Sequence, residues 1–570
     1  MKRSAPAALA LASALAGCQP GHPIDLLIHG GWVIDGSGGA GRRADVAIDR
    51  GRIVGVGDAG AWRARRMIDA TGLAVAPGFV DIHSHADLIL LGGREVQQRL
   101  LAAKILQGVT TIVVGNCGLG VAPASAEGAP VLAAVNAWMA PDGITAGPLS
   151  IGEYLDRLEG SGVVLNVATL VPHGPLRISA MGLGPGAPDP AQLETMRRDL
   201  DRSLSEGAFG LSLGLIYPPG MYSATDELIE LARVVAHRDG LLTCHIRGSS
   251  ETLIPATEEL LEIARRSGAR VHHSHLEAVG ERFWPQLPRV LELEEQARSQ
   301  GLAVSHDVFL YTRAATMMSA IFPPWALEGG LPALLERLRD PATRERVRRD
   351  VAERRPQWPP WEPGGWPHNL VEAVGWDGIV VASVKPNGPA DLVGRSLASI
   401  AAGERRDPFD VVADLMLSQA GQVGQFVEEI SGRGAQFDLL RQIYASPAAA
   451  VISDAEDYGR GSAHPAHAGA FARTLRLERE ARLGPLEQAV RKMTRYPARL
   501  VGLDRGWIGP GAPADLVVFD PRTVADRATW EQPRLPAEGV RWVLINGTPV
   551  VEEGRYLGGS PGRVLRRSGR

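Results

Sequence analysis

His83 and His85 close an apolar run in the stretch PGFVDIHSHAD, Pro77 to Asp87. Side chains of a β-strand alternate faces, so His-X-His sends both imidazoles to one side of the strand's end. Two imidazoles side by side are half of a metal site; two solvated histidines at a strand terminus are the alternative, and the pair alone does not separate them. Further ligand types stand at Cys117 in VVGNCG, His245 in LLTCHIRG, His273 and His275 in HHSH, and Asp454 after AAAVIS. One thiolate with two imidazoles, Cys117, His245 and His275, suits Zn²⁺, and His83, His85 and Asp454 make a second, harder site beside it. Zinc lowers the pKa of bound water towards ~7 and polarises a scissile carbonyl. A carboxylate such as Asp454 takes the water proton as general base and returns it to a departing nitrogen as general acid. The chemistry within reach is metal-assisted hydrolysis of an amide-like bond. Each residue has a plainer competing role: packing for Cys117, helix capping for Asp454.

Such residues act together only if the fold gathers them. Eight β-rich runs, 79–82, 110–114, 163–171, 210–213, 241–243, 270–271, 303–304 and 450–452, alternate with helical stretches such as 189–206, 224–237 and 252–267. That rhythm predicts α/β architecture, a (β/α)₈ TIM-like barrel with a doubly wound open sheet as runner-up. Runs one, two, five, six and eight end in ligand types, and the carboxyl end is where a barrel builds its chemistry. Regular alternation would turn His272 away from His273 and His275, and would turn Cys244, beside His245, into the packing. His237 and His467 read as solvated or structural.

Both chain ends read as β. Segments 25–35 and 44–57 flank a turn at Asp49-Arg50-Gly51-Arg52, and 514–520 and 541–551 contain the hairpin signal Asn546-Gly547. Neither end has strands enough to bury a face alone, so residues 22–76 and 496–560 are expected to fold together as a small β-sandwich domain beside a barrel of residues 77–495. Residues 310–420 break the rhythm and read as an insertion before the last barrel strand. It holds a charged helical stretch, 331–355, and the run QWPPWEPGGWPHN. Trp358, Trp361 and Trp366 fit a small core of that insertion better than a lid over the site.

At 570 residues, 45% apolar and 22% charged, the composition is that of a soluble protein of more than one domain. A net charge of -4 leaves no basic stripe for nucleic acid. The opening MKRSAPAALALASALAGCQP has a positive start and a short apolar segment, the pattern of a processed signal. Leu15-Ala16-Gly17-Cys18 resembles the bacterial lipobox, which implies cleavage before Cys18 and acylation there; a plain secretory signal is the alternative. Either exports the protein to the periplasm, with membrane contact limited to a lipid on Cys18. Only Cys117 and Cys244 follow, and one widely spaced pair is no disulfide framework.

At these residues the sequence resembles the amidohydrolase superfamily, and within it the N-acyl-D-amino-acid deacylase (D-aminoacylase) family. The resemblance runs through nearly the whole chain: PGFVDIHSHAD, GVTTIVVGNCG, GAFGLSLGLIYPPGMYS, HIRG, SHLE, and KMTRYPARLVGLDRGWIGPGAPADLVVFDP with RWVLINGTPVVEEGR. It implies a barrel with a composite β-sandwich and an insertion. It further implies that Cys117, His245 and His275 hold one tightly bound zinc, that His83 and His85 belong to a weaker second site, and that Asp454 is the catalytic acid/base. The family's pocket tyrosine falls on Tyr217. Two family cations that grip the substrate carboxylate are missing, since the lysine position is Glu277 and an HPR segment has become His464-Pro465-Ala466. Arg247, Arg177, Arg460 or Arg473 is then needed as a replacement. The expectation is zinc-dependent deacylation of N-acyl-D-amino acids or related D-configured amides. Alternatives are an amidohydrolase acting on a cyclic, carboxylate-blocked or cationic amide, and a non-catalytic membrane-tethered binding protein on the same scaffold.

Overall fold

The computed structural model describes residues 23–567, apart from 59, 61 and 363, so the signal segment and Cys18 lie outside the described residues. Parallel strands form the barrel. Phe79–Asp81 pairs with Val109–Val114, and that strand with Asn166–Thr169. From Val171–Pro172, pairing continues through Gly210–Gly214, Leu241–His245, Arg270–His273 and Val304–Val308 to Ala449–Val451. The third strand is interrupted at Leu170, whose N–H still donates to the Val114 carbonyl at 2.9 Å. Most of these strands are buried on both faces, which is why they read as apolar runs and not as alternating ones. Helices Pro190–Ser205, Thr225–His237 and Leu253–Ser267 cover the outside; the first starts at a capping box in which Asp189 and Gln192 satisfy each other's backbone N–H groups.

The two chain ends build one nine-stranded sheet. Its long first strand, Ile24–Val33, pairs with Arg42–Asp49 throughout, with Ala64–Asp69 along its first half and with Ala74–Pro77 along its second. A bulge between Ile28 and Gly31 bends the sheet there. Both halves therefore face one apolar core, in which Leu26, Ile28, Val46 and Ile53 meet Val75, Leu516, Val518 and Leu544. Both expected turns form, with positive φ at Arg50 and Gly51 and at Asn546 and Gly547, as a two-residue hairpin of this type requires. The C-terminal share of the sheet starts at Leu516, later than the expected 496, because helix Arg495–Val501 lies against the first and last barrel strands. The chain then returns to the barrel, where Leu565 N–H donates to the Val167 carbonyl at 2.7 Å.

Between the seventh and eighth barrel strands, Arg313–Met317, Ile379–Ser383 and Gly424–Glu428 form a three-stranded antiparallel sheet, so the insertion runs past residue 420. It has its own apolar core, which includes Met318, Phe322, Leu334, Trp366, Val381 and Phe409. The charged stretch is two helices and not one, Gly330–Arg339 and Pro341–Glu353, divided at Asp340, whose carboxylate caps the second from Thr343 N–H at 2.8 Å. Among the described residues no helix is long and apolar enough to cross a membrane.

Strands eight and one meet through charge. Ser453 donates from its N–H to Asp81 Oδ1 at 3.1 Å and from its hydroxyl to Oδ2 at 2.6 Å. Lys104, on helix Gly93–Leu106, reaches Asp81 Oδ2 at 2.9 Å and Glu456 Oε1 at 3.2 Å, all three side chains fully buried. Burial alone would favour the neutral amine, but the two carboxylates outweigh it and raise the Lys104 pKa. Among the described residues Lys104 is the cation paired with Asp81, and Lys104→Met costs an expected 3–5 kcal/mol, roughly that of breaking a buried pair. Urea unfolding followed by circular dichroism measures it; a loss under about 1 kcal/mol would show that the seam closes without this charge.

Candidate active site

Six expected ligands converge at the carboxyl end of the barrel. Cys117 Sγ lies 3.1 Å from His83 Nε2 and 3.6 Å from His275 Nε2. The His245 ring stands 4.4 Å from that of His275, centroid to centroid. Asp454 Oδ1 lies 3.4 Å from His83 Nε2 and 3.5 Å from His85 Nε2. Two donor groups result, His83 with Cys117 and His275, and His83 with His85 and Asp454. This differs from the expected division, because His83 is common to both groups and His245 stands slightly outside the tighter one.

The donor set fits a zinc ion. A thiolate and an imidazole on one tetrahedral zinc, at about 2.3 and 2.1 Å, stand about 3.6 Å apart, the separation of Cys117 and His275. Burial would raise the Cys117 thiol, yet His83, His245 and His275 around the sulfur hold it well below its usual range, as a ligand requires. Burial lowers the His245 pKa to about 4, which leaves a neutral imidazole. The buried Nδ1 atoms of His245 and His85 have no hydrogen-bond partner.

Backbone geometry aims several of these side chains. Cys117 (φ 51°), His275 (φ 35°) and Asp454 (φ 44°) all occupy the left-handed region, which few side chains adopt without cost. At Cys117 the turn passes so close to Gly214 that a Cβ there would sit 1.7 Å from the Cys117 carbonyl oxygen. The expected alternation fails at HHSH for the same reason, since the strand ends at His273 and His275 reaches the site through its left-handed turn. His273 points outward to Glu294 Oε1 at 3.0 Å, while His272 points inward to Asp307 Oδ2 at 2.9 Å. Cys244 packs in the barrel core as expected.

Asp307 is a residue that sequence reasoning missed. It receives His83 Nδ1 at 3.3 Å, and its other oxygen accepts the His275 backbone N–H. Against burial, His272 and His83 hold its carboxyl far below the ordinary range. Glu456 acts similarly behind the other pair, accepting from Ser84 Oγ at 2.6 Å and His85 N–H at 3.2 Å. Burial would raise Asp454, but His83 and His85 outweigh it and keep it ionised.

The donors open into a cavity lined also by Tyr217, Glu277, Thr316, His368, Gln425 and Arg460. Tyr217 shares a 2.8 Å hydrogen bond with Thr316 Oγ1, on the first strand of the insertion's sheet. Burial pushes the Glu277 carboxyl up to about 7, against the pull of His275, and its Oε2 has no partner. Arg247 does not reach the cavity: its guanidinium is held by Glu259 Oε2 at 2.7 Å and by the carbonyls of Met221 and Ser223, under the Trp361 ring. Arg177 is held by Glu227 and Gly186, and Arg473 by Leu310 and Asp526. Of these four only Arg460 lines the cavity, with Nη2 on the Ala137 carbonyl and a buried, unpartnered Nε.

The amidohydrolase family profile matches residues 66–347 and 450–551, leaving out most of the insertion. The chain is 36% identical to the N-acyl-D-glutamate deacylase of Alcaligenes xylosoxydans xylosoxydans, over 95% of this chain and 97% of that protein. It is 32% identical to the D-aminoacylase of the same organism, over 96% and 98%. The crystal structure of N-acyl-D-glutamate deacylase from Bordetella bronchiseptica, complexed with zinc and a phosphonate inhibitor that mimics the tetrahedral intermediate, superposes with a TM-score of 0.78. That match has 34% identity and covers 96% of this chain and 100% of that one. With the barrel and the convergent thiolate, imidazoles and carboxylate, these likenesses place the chain in the amidohydrolase family, on its D-aminoacylase branch.

Proposed function

We propose that this protein is a zinc-dependent hydrolase that deacylates N-acyl-D-amino acids or related D-configured amides. The observation that carries the reading is a single carboxylate, Asp454, reaching both His83 and His85 beside the Cys117 thiolate. Relatives that act on N-acyl-D-glutamate and N-acyl-D-aspartate support it. Cys117, His245 and His275 would hold the tightly bound zinc, with His83, His85 and Asp454 as a weaker second site. The metal supplies an acidified water and a polarised carbonyl when bound. Asp454, partly exposed to the cavity and ionised, takes a proton from the attacking water and delivers it to the departing nitrogen. Asp307 holds His83 and the His275 turn in place, and Tyr217 with Thr316 offers hydroxyls to the substrate beside the donors.

Asp454→Asn is expected to keep its zinc and lose turnover by about 10²–10⁴-fold, the usual worth of a general acid–base; loss of zinc as well would make Asp454 a ligand first. Asp307→Asn is expected to weaken zinc binding by about 10–100-fold in chelator competition, the usual effect of freeing a ligating histidine. On N-acetylated amino acids the D enantiomers should be cleaved and the L enantiomers not; equal rates would remove the D-configured assignment. We also propose export and acylation at Cys18, on the strength of Leu-Ala-Gly-Cys. Cys18→Ser should then move the protein from the membrane fraction to the soluble periplasm, and an unchanged distribution would refute the anchor.

A further inference from the structure

Two residues that line the site cavity carry hydrogen-bonding atoms that nothing among the described residues satisfies. Gln425 is fully buried on strand Gly424–Glu428 and lines the cavity, and neither its Oε1 nor its Nε2 has a partner. Glu277 lines the same cavity, 8% exposed, and its Oε2 is also without a partner. The two residues sit on joined segments. Gly280 N–H donates to the Glu429 carbonyl at 3.1 Å, Ser431 N–H to the Ala278 carbonyl at 2.8 Å, and Ala278 N–H to Ser431 Oγ at 2.9 Å. A buried polar group without a partner keeps the full cost of its desolvation, and an amide with both ends open at a cavity wall is therefore built to meet something.

The chemistry of the occupant follows from counting donors and acceptors. The wall presents one N–H₂ group, from Gln425, against two acceptors, Gln425 Oε1 and Glu277 Oε2. A carboxylate brings acceptors only: it would satisfy the Gln425 N–H and leave the Gln425 carbonyl oxygen facing oxygen. A carboxamide brings two N–H donors and one carbonyl. One N–H can answer Gln425 Oε1 while its oxygen receives Gln425 Nε2, and the second N–H is left for an acceptor such as Glu277 Oε2.

We propose that the substrate of this site carries a neutral carboxamide, separate from the amide that is cleaved, and that Gln425 and Glu277 select it over a carboxylate. This rests on the deacylase reading above. Arg460 gives the cavity one guanidinium of its own, which can take a free carboxylate elsewhere on the same molecule. The carboxamide is therefore placed either on the amino-acid side chain, with the carboxyl end free, or at the carboxyl end itself.

Two pairs of D-configured substrates separate these sources. N-acetyl-D-glutamine against N-acetyl-D-glutamate tests the side chain, and N-acetyl-D-methionine amide against N-acetyl-D-methionine tests the carboxyl end. In at least one pair the carboxamide is expected to have the higher kcat/KM, by tenfold or more, as sites that hydrogen-bond a polar group reject the analogue that cannot answer them. In Gln425→Met, of similar length, that ratio is expected to fall towards one. Carboxylates cleaved as fast as carboxamides in both pairs by the wild-type enzyme would overturn the proposal and leave the deacylase reading intact, as would a preference that Gln425→Met retains. If no member of either pair is cleaved by zinc-loaded enzyme, the deacylase reading fails with it.

Discussion

A buried ammonium between two buried carboxylates decides where this barrel closes. Lys104, Asp81 and Glu456 occupy the seam between the last strand and the first, where the ladder of backbone hydrogen bonds gives way to side-chain contacts and the 3.2 Å bond from Asp454 N–H to the His83 carbonyl. Glu456 also receives Ser84 Oγ and His85 N–H, so the charge that closes the fold orients the histidine pair. Apolar side chains of similar volume are often the more stable choice at such places. They would not fix the direction of His83, His85 and Asp454, and this is the physical reason the seam is ionic.

Convergence of like donors is the other constraint. A thiolate, several imidazoles and a carboxylate repel or crowd one another, and the backbone holds them together at Cys117, His275 and Asp454 in conformations that cost about 1–3 kcal/mol each. The surrounding core is large and continuous from the barrel strands through the outer helices, which is what permits such strain to persist. Asp307 shows the economy of the arrangement. One carboxylate meets His83, His272 and the His275 turn, so the ends of the first, sixth and seventh barrel strands are referred to one point.

Much of this was legible in the residue order. Strands buried on both faces leave unmistakable apolar runs, and ligand types at the ends of several runs mark the face where the donors gather. What escaped did so for physical reasons. His272 and His273 were placed on the wrong faces because His275 is delivered by a left-handed turn and not by a longer strand. Asp307 was overlooked because the seventh apolar run stops at residue 304, whereas the strand continues through Ser305, His306 and Asp307. Arg247 looked like a free cation, but its partner Glu259 lies on the following helix, a pairing that only the packing of helix on barrel creates. Gln425 belongs to no motif, and its importance comes from what it lacks in three dimensions.

The shared sheet has a further consequence, for synthesis. Strand Ala74–Pro77 leads straight into the first barrel strand, yet one of its neighbours is Leu516–Phe519, with Val75 opposite Val518. Until the chain beyond Leu516 is present, that edge lacks this partner across more than four hundred residues, and an open strand edge is a template for other chains. Pairing across so long a separation is slow to form and exposed to aggregation. A polypeptide released before Leu516 would keep every proposed ligand and still lack the strand that covers this edge, so premature termination is expected to yield insoluble protein rather than a weaker enzyme.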